Sequence, residues 1–492
     1  MKYDVIIIGS GLGGLECAHI LSRAGMHVLV LERGKQAGGC MQSYKRHGLN
    51  FDTGFHYIGG LKEGQSLHAI FKHLGLLNLP WQRLDKYFDR ITIGDRTFSF
   101  AQGYDAFVEV LTKDFPSSQK GLKKYVNLLK LYERKQFDML NPLLKESLFY
   151  SVLFETGAWS YLNELIHDPL LINVLSGTCL KTELRKETLP LFSFAHGNSS
   201  FIESSWRLKG DSSLIVKSLT NDINSYGGVI ICKSEVIELL EKDGKLKYAK
   251  CSNGEIYEGK IFISNAHPHV TNQLIQPTDN LRKRYSNRIK QLENTFGMLT
   301  VSLRIKQQSL KYFNWNQYIY KQPNIWDFYQ KEEPISGILV SCRIPEDESE
   351  YVQQIDILTP MIWEKCKTWS QTQVGQRGEE YQQMKERLAD ECIALAEQFI
   401  PGLHQIITER YISAHLSYRD YTLTPNGSAY GIRKDFNKAL TTFLSPRTPI
   451  SNLYLTGQNL MLHGVHGVTM TALATCAEVL GKEYIWNIIK KD

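Results

Sequence analysis

"YDVIIIGSGLGGLECAHILSRAGMHVLVLERG", residues 3–34, reads as a strand, a glycine turn, a helix and a second strand. "DVIII" is a short β-branched apolar run of the kind buried on both faces in a parallel sheet. It enters Gly9-Ser10-Gly11-Leu12-Gly13-Gly14, a G-x-G-x-x-G pattern carried by Gly9, Gly11 and Gly14. "LECAHILSRAG" has apolar residues at helical spacing, and Gly25 suits the helix end. "MHVLVLE" is the second strand and ends in Glu32. Each residue type has a physical task. Gly9 makes the tight turn, Gly11 lets backbone approach a pyrophosphate, and Gly14 lets helix and strand pack closely. The turn through Ser10, Leu12 and Gly13 opens a helix whose first N–H groups are free to bind phosphate. Glu32 stands where a carboxylate accepts ribose hydroxyls and repels a 2′-phosphate. A glycine fingerprint alone is weak, but here strand, helix, strand and acid follow in order, which makes it a dinucleotide site. It does not separate NAD from FAD.

The chain has 492 residues, 42% of them hydrophobic, which predicts two or more domains. An aromatic content of 11% excludes disorder and suits a large core or an apolar pocket. Fifty-seven basic against 51 acidic residues give +6 with no basic tract, so nucleic acid has no electrostatic support as a partner. A weak attraction to an anionic membrane face stays open. Nine cysteines, an odd number at irregular spacing without C-x-x-C, read as reduced thiols and not as a disulfide or zinc framework. The apolar start is too short and too glycine-broken for a signal peptide. No run reaches the roughly 18 uncharged apolar residues of a membrane span. The expectation is a cytoplasmic protein that at most touches the inner face of a membrane.

A second glycine pair follows the acid, in Glu32-Arg33-Gly34 and "KQAGGCMQS" (35–43), where Gly38 and Gly39 bring backbone close beside Cys40 and Met41. Then comes "GLNFDTGFHYIGG" (48–60). Residues 4–60 resemble the retinol saturase and carotenoid isomerase branch of the FAD-dependent amine oxidase and carotenoid desaturase superfamily. The block "FDTGFHYIG" is the most specific part. The resemblance implies an α/β fold: a Rossmann-like FAD domain of the amine-oxidase type, woven from three segments and interleaved with an α+β substrate domain. The expected boundaries are 1–70, 205–275 and 446–492 for the FAD segments. Residues 71–204 are then the helical part of the substrate domain, and 276–445 its sheet-containing part. The residues themselves agree with the second segment: 209–266 read as a helix, a Gly-Gly stop, a strand, an extended pair around "DGK" and "SNGE", and a last buried strand "IFISNA". By resemblance, the backbone at Val236 touches the adenine, and Asn265 and Ala266 approach the phosphate side.

"ISNLYLTGQNLMLHGVHGVTMTALATCAEVLG" (450–481) is strand, loop, glycines and helix. By resemblance, Gly457, Gln458, Gly464, Gly467 and Val468 lie along the flavin, with the helix N-terminus toward its O2/N1 edge, where reduced flavin gathers negative charge. Many relatives carry an acid beside Gly457; this chain has Gln458-Asn459. His463 and His466 invite a metal reading, but no further ligand cluster has suitable spacing, and no metal is expected. The sequence leaves open whether the two histidines pack or face substrate. His56 and Tyr57 are in the same position. These four are the candidate catalytic residues, as groups able to supply a proton.

In the gaps, "ESLFYSVLFETGAWSYLNELI" (146–166) reads as a buried helix pair or a lipophilic wall, and "MLTVSLRI" and "GILVSCRI" as strands flooring a cavity. "TPNGSAYG" (424–431) resembles the family's loop returning to the flavin. The resemblance implies a flavoenzyme acting on carbon–carbon bonds of a lipophilic polyene or isoprenoid-like small molecule, in a saturase, isomerase or desaturase reaction. FAD fills the one fingerprint, so NAD(P)H would serve only as a transient donor. Two alternatives stand: an FAD amine oxidase, and a lipid or prenyl-protein escort on the same fold without chemistry. Oligomeric state is silent.

Overall fold

The computed structural model describes residues 2–144, 148–276, 283–330, 334–346 and 349–490. Strand β1 (Lys2–Ile8) leads through the glycine turn into helix α1 (Leu12–Arg23) and strand β2 (Val28–Leu31). Val5, Ile6 and Ile7 are fully buried, as an apolar run in a covered parallel sheet must be. Strands β3 (Val229–Ile231), β4 (Val236–Lys242), β5 (Lys245–Cys251), β6 (Ile256–Ser264) and β7 (Leu453–Leu455) complete this sheet. Its order is β3-β2-β1-β6-β5-β4, with β7 beside β6. The strands β3, β2, β1, β6 and β7 run parallel, and β4, β5 and β6 form an antiparallel meander. The turn between β4 and β5 is Asp243-Gly244, both at positive φ, which suits a tight hairpin. Strands from residues 2–31, 229–264 and 453–455 therefore share one sheet.

There is a second seven-stranded sheet. Its order is Ile407–Ser413, Gly297–Ile305, Gln354–Met361, Gly337–Cys342, Asn316–Tyr320, Tyr87–Ile93 and Arg96–Ala101. The stretch 71–204, expected as helical, thus also carries strands, and two of them finish this sheet. The register of Tyr87–Ile93 with Asn316–Tyr320 is long-range and no local pattern announces it, whereas Arg96–Ala101 joins as a local hairpin. One face packs on the amphipathic helix α2 (Gly378–Ala396) through Leu299, Val301, Leu303, Leu388 and Cys392. Residues 148–155 and 158–165 form the expected helix pair; residues 146 and 147 of that reading lie outside the described residues. Among the described residues, no helix is long and apolar enough to cross a membrane.

The other face of the second sheet is unusual. Strand register aligns Asp89, Asn316, Ser341, Asp356 and Ser302 in one row across five strands. All five are buried. A buried polar row must be hydrogen-bonded to be tolerated; it is met by Tyr57 of the first segment and by Arg207, while the charge of Arg343 acts on Asp356.

Candidate functional site

The glycines of the first segment stand where larger residues cannot. A Cβ on Gly14 would lie 2.2 Å from the Gly9 carbonyl, and one on Gly11 2.6 Å from Asn265 Nδ2. Gly13 meets Asn265 and Gly457 at 3.0 and 3.1 Å, and a Cβ on Gly457 would lie 2.5 Å from Asn265 Oδ1. Asn265, on leaving β6 with Ala266, is thus the hub where the three segments touch. Gly38 (φ +121) donates its N–H to the Ser10 carbonyl at 3.0 Å, and Gly39 (φ +55) backs onto Gly11. Glu32 ends β2 and accepts from the Ser10 backbone N–H at 2.9 Å, from Ser10 Oγ at 2.5 Å and from the Gly34 N–H at 2.5 Å. These bonds aim the carboxylate at the mouth of the turn. Leu12 and Met41 are buried supports. Arg33 turns away and donates to the carbonyls of Asp420 and Tyr421. Val236 opens β4, buried among apolar neighbours.

Helix α3 (Gly464–Leu480) begins beside this cradle, with His463 as its capping residue. Gly464 is exposed, sits at φ +71 and has nothing within 4 Å of a would-be Cβ. The helix N-terminus therefore faces open, accessible space. Gly467 packs against Leu462, and Val468 is buried. Gln458 is half-buried; Asn459 turns inward, its Oδ1 accepting the Ile432 N–H at 3.1 Å.

The predicted histidines and tyrosine separate into three environments. His56 lines a small polar cavity of about 20 Å³ with Asp52, Arg207, Arg343 and Asp356. Burial holds it neutral, pulled down to about 4. Its neighbour Tyr57 points to the polar row: Oη donates to Asp89 at 2.9 Å and lies 2.8 Å from Tyr318 Oη. His463 Nε2 lies 2.9 Å from the Lys181 carbonyl, so it carries the proton there, and its ring stacks on Tyr430 at 4.0 Å. His466 is buried with neither ring nitrogen partnered, 4.7 Å from the His196 ring. Burial pulls His463 to about 4 and His466 to about 3, so both are neutral imidazoles.

Several groups that the sequence reading passed over complete the site. Lys181 Nζ donates to Tyr57 Oη at 2.7 Å. His196 Nδ1 lies 2.9 Å from Tyr132 Oη. Lys434 donates to the carbonyls of Thr442, Asn459 and Leu460 at 2.8, 2.8 and 3.0 Å, tying the Gly457 loop to the chain before it; burial pulls it down to about 7. The signal was a lysine alone in an apolar context, as in "GTCLKTEL", which periodicity does not weigh. Cys40, Lys181, Tyr418, Tyr430 and His463 keep some exposed surface, yet burial shifts each of them strongly. Surface without bulk solvation is the mark of side chains lining an interior space. Among the described residues no group of three or more His, Cys, Asp or Glu could hold a metal.

Glycines with no room for a Cβ, two helix N-termini and an acid at the end of β2 define a dinucleotide-binding oxidoreductase fold. Residues 7–74 match the family model described as an NAD(P)-binding Rossmann-like domain. The chain is 26% identical to the all-trans-retinol 13,14-reductase of Danio rerio, over 97% of this chain and 86% of that protein. It is 24% identical to prolycopene isomerase 2 of an Oncidium hybrid cultivar, over 93% and 80%. Among solved structures, putrescine oxidase bound to putrescine superposes with a TM-score of 0.63 at 12% identity, over 98% of this chain and 99% of that one; this likeness is one of fold. The chain thus resembles all-trans-retinol 13,14-reductases and prolycopene isomerases over nearly its whole length, and it shares its fold with putrescine oxidase.

Proposed function

We propose that the protein is an FAD-dependent oxidoreductase that reduces a carbon–carbon double bond of a lipophilic polyene or isoprenoid-like substrate. The observation that carries this reading is the coincidence of near full-length similarity to retinol reductases with a three-segment glycine cradle that leaves no room for side chains. Bound FAD would supply hydride chemistry. In this reading Gly9, Gly11, Gly14 and Gly39 hold its pyrophosphate and Glu32 its adenosine ribose. Gly457, Gln458 and Gly464 lie along the ring system, with the α3 N-terminus stabilising negative charge there. In this reading His463 and His466, both neutral, stand with Tyr430 and His196 beside the substrate, which suits an apolar chain. NAD(P)H would act as a transient donor. Isomerisation is the second reading, favoured by the prolycopene isomerases among the relatives. The test is the visible spectrum of purified protein, followed by anaerobic incubation with retinol and with lycopene isomers. Non-covalent FAD and a saturated product are expected. Uptake of no FAD would overturn the redox reading, and a purely isomerised product would select the second one.

A further inference from the structure

Lys181 closes the short helical turn Gly177–Lys181 in a wall of buried residues. Its backbone is fixed to the start of α3, because its carbonyl accepts from His463 Nε2 at 2.9 Å. Its side chain meets Phe201 and Tyr57. Nζ lies 3.7 Å from the centre of the Phe201 ring and donates to Tyr57 Oη at 2.7 Å. Tyr57 Oη in turn donates to Asp89 at 2.9 Å and stands 2.8 Å from Tyr318 Oη; Asn316 Nδ2 donates to the other Asp89 oxygen at 2.9 Å. Lys181 is thus held by a relay that ends on a buried carboxylate of the second sheet.

The hydrogen-bond count separates the roles. The single Tyr57 O–H is committed to Asp89, and burial beside that carboxylate raises Tyr57 well above its ordinary value. Tyr57 is therefore no acid near neutral pH. An ammonium has three N–H bonds, of which one goes to Tyr57, so Lys181 can offer another to a molecule in the interior space while staying held. The titratable and charged groups facing it are Asp89, Tyr57, Tyr318, Cys179 and His196. Asp89 favours the ammonium, but burial outweighs it and pulls Lys181 down to about 8, where a general acid is both protonated and able to release its proton.

We propose that Lys181 is a catalytic residue, the acid that protonates one carbon of the substrate's double bond, with Tyr57 and Asp89 as positioning residues. The inference rests on the proposed reduction. In the step an Nζ–H bond breaks and a C–H bond forms at one carbon. The hydride and its two electrons reach the other carbon from a two-electron donor of the reduced-flavin class, which is oxidised as the C=C bond is reduced. Lysine is left as the neutral amine and recovers its proton from water.

The test has one arm that needs neither cofactor turnover nor substrate. Lysine amines are ¹³C-dimethylated and titrated by NMR on the full chain, and the Lys181 signal is identified by its loss in Lys181→Arg. A midpoint near 8 is expected, and a midpoint at the ordinary lysine value of about 10.4 overturns the acid role. In turnover, Lys181→Gln is expected to keep its flavin absorbance and KM while kcat falls roughly a hundredfold or more. The wild-type kcat should decline on the alkaline side at the NMR midpoint, and Tyr57→Phe should move that midpoint. Unchanged kcat and alkaline limb in both Lys181 variants overturn the proposal. A wild type that binds no FAD or leaves every polyene intact overturns the function reading and the acid role with it, whereas the NMR result strikes the acid role alone.

Discussion

Two glycines show how differently single residues constrain the site. Gly14 has no space: its Cβ would meet the Gly9 carbonyl at 2.2 Å, a rigid backbone atom. Gly14→Ala is expected to push α1 off β1, lowering stability by about 1–3 kcal/mol and abolishing flavin retention; melting temperature and visible absorbance check it. Gly464 has all the space it needs, and only its φ of +71 resists a side chain. Gly464→Ala should cost about 1 kcal/mol in stability yet place a methyl group in the interior space, weakening FAD binding by more than the stability loss. If both variants melt alike and bind alike, the assignment of the two glycines to packing and to ligand approach is wrong. His56 and Tyr57 carry the same lesson. They are adjacent, and adjacent residues of an extended segment point to opposite sides. One faces the Asp52 cavity and the other the Asp89 relay.

Helices α1 and α3 pack against each other, and the contact contains a buried acid. Glu16 accepts from Thr469 Oγ1 at 2.7 Å through one oxygen, while the other is unpartnered. Burial raises it to about 8. The unfolded chain releases that proton near 4.5, so between these values the folded state binds more protons than the unfolded one. Stability contributed by this group is whole below 4.5 and is lost as pH rises toward 8. Glu16→Gln should keep the Thr469 bond and flatten that slope, raising the melting temperature at pH 8 by several degrees with little change at pH 5. Thermal melts across that range decide it. An unchanged slope would mean that other groups set the pH response.

At the scale of the whole molecule, the hairpin strand Leu49–Asp52 of the first segment is held to the second sheet by an ion pair and hydrogen bonds. Arg343 bridges to Asp52 at 3.1 Å and donates to the Asn50 carbonyl at 2.7 Å, and both partners of the ion pair are nearly buried. Asp356 and Ser302 stand beside it in the polar row, 2.6 Å apart. Arg343→Met would leave the Asp52 carboxylate without its cation, at a cost of about 3–5 kcal/mol. Denaturant unfolding should show that loss, together with weaker flavin retention, because Asp52 also fixes Ser212 through its N–H and Oγ at 2.8 and 2.6 Å. A loss below about 1 kcal/mol would place the join elsewhere.

The sequence by itself determined the strand, glycine turn, helix and acid of residues 3–34, the meander around "DGK" and "SNGE", and the glycines of the closing helix. These depend on local causes: which residues tolerate positive φ, which runs are apolar at a period of two or 3.6, and where backbone must come close. It did not reveal that Tyr87–Ile93 completes a sheet built mainly after residue 296, nor that Asp89, Asn316, Ser341, Asp356 and Ser302 form one buried row. It also passed over Lys181 and Lys434. Each of those depends on partners far apart in the chain, and a single lysine or aspartate has no period to announce what it meets. Only the tertiary structure brings Lys181, Tyr57 and Asp89 within hydrogen-bond reach, because strand register, not local sequence, decides which polar side chains share a row.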